Sequence, residues 1–239
     1  MPFLKPKGLW VTSIILDPAL HGNSVYTNEL TKKLSKHFNL DLLYYPPIQK
    51  LQGGTINNLK QFKNIYFIKK EKTYSKPVFT EDGRNKYFNF INKSVFDWLK
   101  QNFNSKGYKF VICDYIFLTD IFDILPKSTT KIINSHDIWG DRHIGLNWDD
   151  ELKRKNFCCT EIEEIIAARK SNILITISEH EKKIFKKRMK FLKNKVSIMT
   201  VNFCPKIKKK LVCSSRKDNK LKIGFIASDN NLNKFGINE

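Results

Sequence analysis

An alternation of short apolar runs with segments of helical periodicity constrains the fold of this chain more than any other feature. The first run, at residues 9–15, is rich in β-branched side chains and uncharged, as a strand buried on both faces of a sheet requires. In the next segment, Tyr26, Leu30, Leu34 and Phe38 recur every fourth residue, which places them on one face of a helix. The chain therefore opens with a strand, a loop and a helix.

The same alternation continues to residue 201. Further apolar runs predict strands at residues 40–45, 64–68, 110–113, 131–134, 172–177 and 196–201. Helices are predicted at residues 86–103, within residues 115–126, on a segment that pairs Ile162 with Ile165 and Ile166, and after a capping box formed by Ser178 and Glu181. Alternating strands and helices indicate an α/β fold, with a Rossmann-like, mostly parallel sheet and helices on both faces.

The net charge of +20 is unevenly distributed. Residues 121–180 contain 8 basic and 10 acidic side chains, whereas residues 181–239 contain 17 basic and 4 acidic ones. The basic run at residues 182–193 is typical of a solvated helix face, and an anionic membrane leaflet is the partner that would fit it otherwise. No helix-turn-helix, RNA-binding or zinc pattern accompanies the charge, so the sequence does not favour nucleic acid as a partner.

The five cysteines form no C-x-x-C pair, and the first residues do not form a secretory signal. These observations predict reduced thiols and a cytoplasmic location. No window of about 18 apolar residues predicts a transmembrane helix. Any membrane contact is therefore expected to be peripheral, at the inner face of the plasma membrane.

Polar side chains follow the predicted strand at residues 131–134, with His136 and Asp137 first and Arg142 shortly after. In open parallel sheets, ligands bind beyond the carboxyl ends of the strands, so these residues are site candidates. Two interpretations stay open for each of them. His136 is either a catalytic residue or a satisfied turn residue, and Asp137 and Arg142 either contact a ligand or hold the loop through an ion pair.

A second candidate site is the loop that precedes the first helix, where His21, Gly22 and Asn23 are consecutive. The amino terminus of a helix favours anions, and a glycine there allows a ligand to approach the backbone closely. The alternative is that Gly22 only forms the turn.

The order of these features resembles the amino-terminal half of GT-B glycosyltransferases in the retaining, glycogen and sucrose synthase-like group, the family 4-like enzymes. The resemblance covers about residues 8–237. It rests on His136-Asp137, on Arg142, on the acidic segment around Glu164 and on the sequence ILITISEHE at residues 173–181. It implies an acceptor-side domain at residues 1–201, an interdomain linker at 202–220 and the first strand of an incomplete donor-binding domain at 221–239.

The resemblance also implies residue roles. His136 and Asp137 would be catalytic, with His136 nearest the transferred sugar, and Arg142 would bind substrate. His21, Gly22 and Asn23 would lie near the donor diphosphate and the acceptor, although the family usually has two adjacent glycines in this loop. Residues 69–84, predicted to be a loop on the site side, correspond to a region that often binds the acceptor.

The implied activity is metal-independent transfer of a sugar from a nucleotide-sugar donor to a hydroxyl acceptor, either a glycan or a lipid-linked molecule, without a cofactor. The expected process is the biosynthesis of surface polysaccharide or glycoconjugates. Three explanations stay open for the short carboxyl part: a truncated gene, a fragment of a longer protein, or completion by a separate chain. The alternative function is an inactive remnant that acts at most as an acceptor- or membrane-binding module.

Overall fold

The computed structural model of the protein describes residues 4–19, 21–45, 59–68, 78–86, 91, 93–145, 158–191 and 196–201. Its strands are β1 (Lys7–Thr12), β2 (Asn39–Tyr44), β3 (Ile65–Phe67), β4 (Val78–Phe79), β5 (Asn85–Lys86), β6 (Phe110–Asp114), β7 (Thr130–Asn134), β8 (Ile173–Thr176) and β9 (Ser197–Thr200). Its α-helices are α1 (Gly22–Leu34), α2 (Lys93–Asn102), α3 (Glu161–Arg169) and α4 (Glu179–Arg188). Two 3₁₀ helices span Ile116–Ile124 and Arg142–Gly145.

Seven of these strands form one parallel sheet in the order β3-β2-β1-β6-β7-β8-β9, while β4 and β5 form a separate antiparallel hairpin. From β1 the chain winds outward to β3, returns to β6 beside β1, and winds outward in the opposite direction. The register places Trp10 between Leu42 and Ile112. The order therefore reverses between β1 and β6, which is the topological switch point of a doubly wound sheet.

Side chains alternate between the two faces of the sheet, and each face has its own core. Leu9 and Val11 point to a core that also contains residues of α2, α3 and α4. Trp10 points to the other core, which contains Leu30 of α1. Helices therefore cover both faces, and the α/β, Rossmann-like parallel sheet expected from the sequence is confirmed.

Some local predictions differ from the structure. Lys86 lies in strand β5 rather than in a helix, and α2 begins only at Lys93. The helix predicted within residues 115–126 is a 3₁₀ helix. In α3, Ile162 and Ile166 are exposed while Glu164 is buried, because bonding partners for its carboxylate lie on the inner face.

Specific side chains also cap the last two helices. Ser178 caps α4 as predicted, but Glu181 accepts from the Ile177 N–H rather than completing the box. A reciprocal capping box is formed instead by Thr160 and Glu163 at α3. The predicted linker at residues 202–220 and strand at 221–239 lie outside the described residues. Within those residues, no helix is both long and apolar enough to cross a membrane.

Candidate functional site

The candidate site lies at the carboxyl edge of the sheet, beside the switch point. Strands β6 and β7 are in register, so their last residues, Asp114 and Asn134, are direct neighbours. His136 follows two residues later and is only 4% exposed. Adjacent parallel strands thus bring together polar side chains that are 20 or more positions apart in the sequence.

A fully buried carboxylate, that of Asp114, organises this edge. Its Oδ2 accepts a hydrogen bond from the Trp10 Nε1–H at 2.7 Å. Its Oδ1 lies 2.8 Å from the Asn134 Nδ2 and 2.8 Å from the His136 Nε2. Three converging polar groups thus satisfy the hydrogen-bonding needs of this buried side chain.

These contacts define which nitrogen of His136 carries hydrogen. The Asn134 Nδ2 is also 2.9 Å from the His136 Nε2, so three polar atoms form a triangle. Because the carboxylate oxygen can only accept, both nitrogens satisfy the triangle best by donating to Asp114. We therefore assign a hydrogen to the Nε2 of His136, which donates it to Asp114.

The backbone at this edge is strained at two side-chain-bearing residues. His136 has φ 60° and is the centre of a three-residue turn closed by the Asp137 N–H and the Ser135 carbonyl at 2.7 Å. Tyr115 has φ 66° and ψ 155°, a region occupied almost only by glycine. Such strain costs roughly 1–3 kcal/mol at each residue and is concentrated at functional sites in proteins.

Aromatic rings enclose the imidazole of His136. The Tyr115 ring centroid lies 4.7 Å from it, and the Tyr26 ring contacts it edge-on at 5.5 Å. Burial raises the pKa of each of these tyrosines to about 12, so both hydroxyls are neutral at physiological pH. The aromatic rings of Tyr26 and Tyr115 therefore pack around the imidazole of His136.

The predicted loop before α1 reaches the same place. Asn23 donates from Nδ2 to the Tyr115 hydroxyl at 2.7 Å, so the amino terminus of α1 lies beside the walls of the site. His21 is the exposed N-cap residue and makes no side-chain cap. Gly22 is the first residue of α1, has no positive φ, and a Cβ added there would meet nothing within 4 Å. Neither the backbone conformation nor packing therefore requires a glycine at position 22.

Asp137 and Arg142 lie at the rim of the site, where a third ionisable residue joins them. The Arg142 Nη1 is 3.7 Å from the Asp137 Oδ2, and the guanidinium lies 5.0 Å from the Trp139 ring. Burial raises the pKa of Asp137, while Arg142 and His136 oppose that shift. Burial also raises the pKa of Glu181 to about 7, an effect that the Asp137 charge increases. The pKa of Glu181 thus responds to the charges of both Asp137 and Arg142.

A buried ion pair holds the loop that follows His136. The Glu164 carboxylate accepts from the Trp139 N–H at 2.7 Å and pairs with the Arg188 Nη1 at 2.5 Å. Arg188 also donates to the Gly140 carbonyl at 3.1 Å. Burial raises the pKa of Glu164 to about 6, with these donors acting against the shift. Helices α3 and α4 are thereby fixed to the loop that carries the candidate residues.

The β4–β5 hairpin also reaches this loop. The Arg84 Nη1 is 2.5 Å from the Asp141 Oδ1, and Asp141 follows Gly140. Within residues 69–84, predicted as a loop on the site side, Val78–Phe79 instead form β4, and Arg84 contacts the segment after β7. The chain thus brings two separate segments, one before and one after α2, to the same edge of the sheet.

Sequence reasoning found His136 but missed Asp114, Trp10, Tyr26, Tyr115 and Glu181. A polar residue that ends a predicted strand was the available signal for Asp114, the same signal that identified His136. Trp10 and Tyr26 had no such signal, because each belongs to a strand or helix pattern that packing alone explains. In the described part of the chain, no group of three His, Cys, Asp or Glu side chains is arranged to hold a metal ion.

Comparison with known proteins shows which solved structures share the fold of this chain. No protein-family model and no curated protein sequence matches the chain. Sucrose-phosphate synthase from Thermosynechococcus elongatus matches with a TM-score of 0.55 at 11% identity, over 83% of this chain and 48% of that one. A UDP-glucosyltransferase from Polygonum tinctorium capable of glucosylating indoxyl matches with a TM-score of 0.51 at 12% identity, over 84% and 53%.

Phytolacca americana UGT2 also matches, with a TM-score of 0.51 at 9% identity over 85% of this chain and 53% of that one. These neighbours are GT-B glycosyltransferases, and the chain spans about half of their length. Identity this low shows a shared fold alone. The seven-stranded parallel sheet therefore has the Rossmann-like fold found in GT-B enzymes.

Proposed function

We propose that this chain is the acceptor-side half of a GT-B glycosyltransferase, which transfers a sugar from a nucleotide-sugar donor to a hydroxyl acceptor. The observation that carries the proposal is the buried pair of His136 and Asp114 beside the switch point of a GT-B-like sheet. Trp10 and Asn134 also donate hydrogen bonds to Asp114. A histidine that only formed a turn would not require a partner held in this way. The proposal includes no metal or other cofactor.

His136 is the residue assigned closest to the reaction. With Nε2 held by Asp114, its Nδ1 is the nitrogen that would bond a hydroxyl of the sugar or of the acceptor. Asp114 is a positioning residue, because it fixes the ring and its protonation without contacting the ligand. Asp137 and Arg142 at the rim would contact polar groups of the substrate.

The glycine at the start of α1 supports a ligand position. Backbone N–H groups at a helix amino terminus bind anions, so His21, Gly22 and Asn23 are assigned to the donor diphosphate or to the acceptor beside it. The departing diphosphate would be stabilised there electrostatically. Membership of the family 4-like group, a glycan or lipid-linked acceptor, a role in surface polysaccharide synthesis and a location at the inner face of the plasma membrane belong to the same proposal.

Transfer by a two-half assembly tests the proposal. The chain, joined to a complete donor-binding half, is incubated with UDP-, GDP- and ADP-sugars and a panel of hydroxyl acceptors, and products are measured by mass spectrometry. We expect saturable transfer, and we expect His136→Ala to lower kcat by about 100-fold or more. His37→Ala is the matched control, because His37 is exposed and lies just beyond the opposite end of α1.

Circular dichroism and the melting temperature must show that both variants remain folded. If His136→Ala keeps wild-type turnover, His136 is only a turn residue and the assigned site is wrong. If the wild-type assembly binds an acceptor but transfers no sugar, the alternative of a binding module replaces the proposed enzyme.

A further inference from the structure

A basic cavity lies at the edge of the sheet opposite to the candidate site. It is formed by the turn before β7, the start of β7 and the loop between α3 and β8, and it is lined by Lys127, Thr129, Lys131, Arg169, Lys170 and their neighbours. Strand β7 separates the two edges by four residue steps, about 13 Å at roughly 3.3 Å per residue. The cavity is therefore distinct from the site around His136.

The charge of this cavity is largely uncompensated. Lys170 binds Asp120 at 2.5 Å and Asp123 at 2.6 Å, so the nearest carboxylates are already occupied. Lys127, Lys131 and Arg169 form no ion pair with any other residue that the structure describes. Three cations thus line one concave surface without a direct ion pair within the described part of the chain, although the Asp123 charge acts on Lys131.

Helix α3 explains only part of this arrangement. Its last turn and C-cap, at Arg169 and Lys170, carry the positive charge that the negative end of a helix dipole favours. Lys127 and Lys131 belong to a different turn and strand, so the dipole does not account for them. Burial lowers the pKa of Lys131, although Asp123 opposes that shift. A fully exposed lysine would not show a pKa lowered by burial.

The size of the cavity limits the ligand. Its volume is about 240 Å³, below the range of about 300–1,000 Å³ that pockets for drug-sized molecules occupy. Lysines act as point charges toward phosphate oxygens, and an arginine can bind two of them at once. We propose that this cavity is an anion site that takes a phosphate or diphosphate group, either from a free phosphate compound or from a lipid headgroup. This inference does not depend on the proposed sugar transfer.

Calorimetric titration of the full 239-residue chain with inorganic pyrophosphate tests the site. The double variant Lys131→Ala/Arg169→Ala should weaken binding by about tenfold or more, measured at about 50 mM and about 200 mM NaCl to separate local binding from screened attraction. The control is Lys186→Ala/Lys187→Ala, which removes the same charge from exposed positions of α4 and should change the affinity less than about twofold. A second variant, Lys127→Ala/Arg169→Ala, leaves strand β7 intact and should reproduce the loss.

Cosedimentation with vesicles distinguishes the two phosphate sources. Phosphatidylglycerol vesicles, compared with pure phosphatidylcholine vesicles, should capture the wild-type chain and not the cavity variants if a lipid headgroup is the ligand. Pyrophosphate binding that only the cavity variants weaken identifies a free phosphate compound. If both probes bind the cavity variants and the α4 control equally well, or if neither probe binds the wild-type chain, the proposed site does not exist.

Discussion

Two glycines of this chain differ in the space that is available for an added methyl group. At Gly8 in β1, a Cβ would lie 2.1 Å from the nearest atom of the Phe110 ring, which itself packs on Phe38 with a centroid distance of 5.0 Å. At Gly22 a Cβ meets nothing. The first glycine is needed by the core, and the second is free for another role.

We therefore expect Gly8→Ala to reduce the free energy of unfolding by about 1–3 kcal/mol, because the Phe110 ring must leave its position. Gly22→Ala should leave stability unchanged or raise it by about 0.4–1 kcal/mol, since alanine restricts the unfolded chain. Urea unfolding measures both values. A loss of stability in Gly22→Ala as large as that in Gly8→Ala would show that Gly22 has a structural role after all.

Elements, rather than single residues, hold the loop after His136. Arg188 of α4 binds Glu164 of α3, and its Nε also lies 3.1 Å from the Glu161 Oε2. The same loop approaches α3 so closely that a Cβ at Gly140 would lie 2.7 Å from the Glu164 Oε2. The two helices and the loop therefore form one packed unit around a buried charge.

Removing the cation from this unit should be strongly destabilising. We expect Arg188→Ala to lower the free energy of unfolding by about 3–5 kcal/mol, because the Glu164 carboxylate is left buried without its partner. The matched control Lys187→Ala, at an exposed position of the same turn, should stay within about 0.5 kcal/mol of wild type. Denaturant unfolding compares the two.

The double variant Glu164→Gln/Arg188→Met should recover part of this loss, since it removes both charges together. Equal stability of Arg188→Ala and Lys187→Ala would mean that Glu164 takes up a proton at little cost, and that the pair does not hold the loop.

At the scale of the whole molecule, carboxyl groups with shifted pKa values make stability depend on pH. Burial raises the folded-state pKa of Glu181 from 4.5 to about 7. The folded protein therefore binds more protons than the unfolded chain between these values, and the contribution of Glu181 to stability falls as pH rises through that window. Glu179, two residues earlier, behaves oppositely, because hydrogen bonds from Thr200 and Lys182 lower its pKa.

Glu181→Gln should thus have no effect on the melting temperature below pH 4.5 and raise it increasingly up to about pH 7, relative to wild type. Glu179→Gln should lower the melting temperature above the ordinary glutamate pKa and converge with wild type in acid. Melting curves at several pH values test both. Parallel wild-type and Glu181→Gln profiles would contradict the raised pKa of the half-buried Glu181.

The sequence by itself determined the kinds of element and their order. Uncharged, mostly apolar runs such as residues 9–15 are typical of strands that are covered on both faces, which is why the parallel α/β class could be predicted. The position of His136 and of the loop at Gly22 at the carboxyl edge of the sheet could be predicted as well, because residues that follow a parallel strand emerge at that edge. These inferences need only local pattern.

Only the tertiary structure decided which strands are neighbours. Asp114 meets Trp10 across 104 positions and His136 across 22, because β6 lies between β1 and β7 and is in register with β7. Periodicity contains no information about that register. The tertiary structure also decided which face of α3 points inward. Glu164 is buried while Ile162 and Ile166 lie at the surface, because Arg188 of another helix pairs with the Glu164 carboxylate.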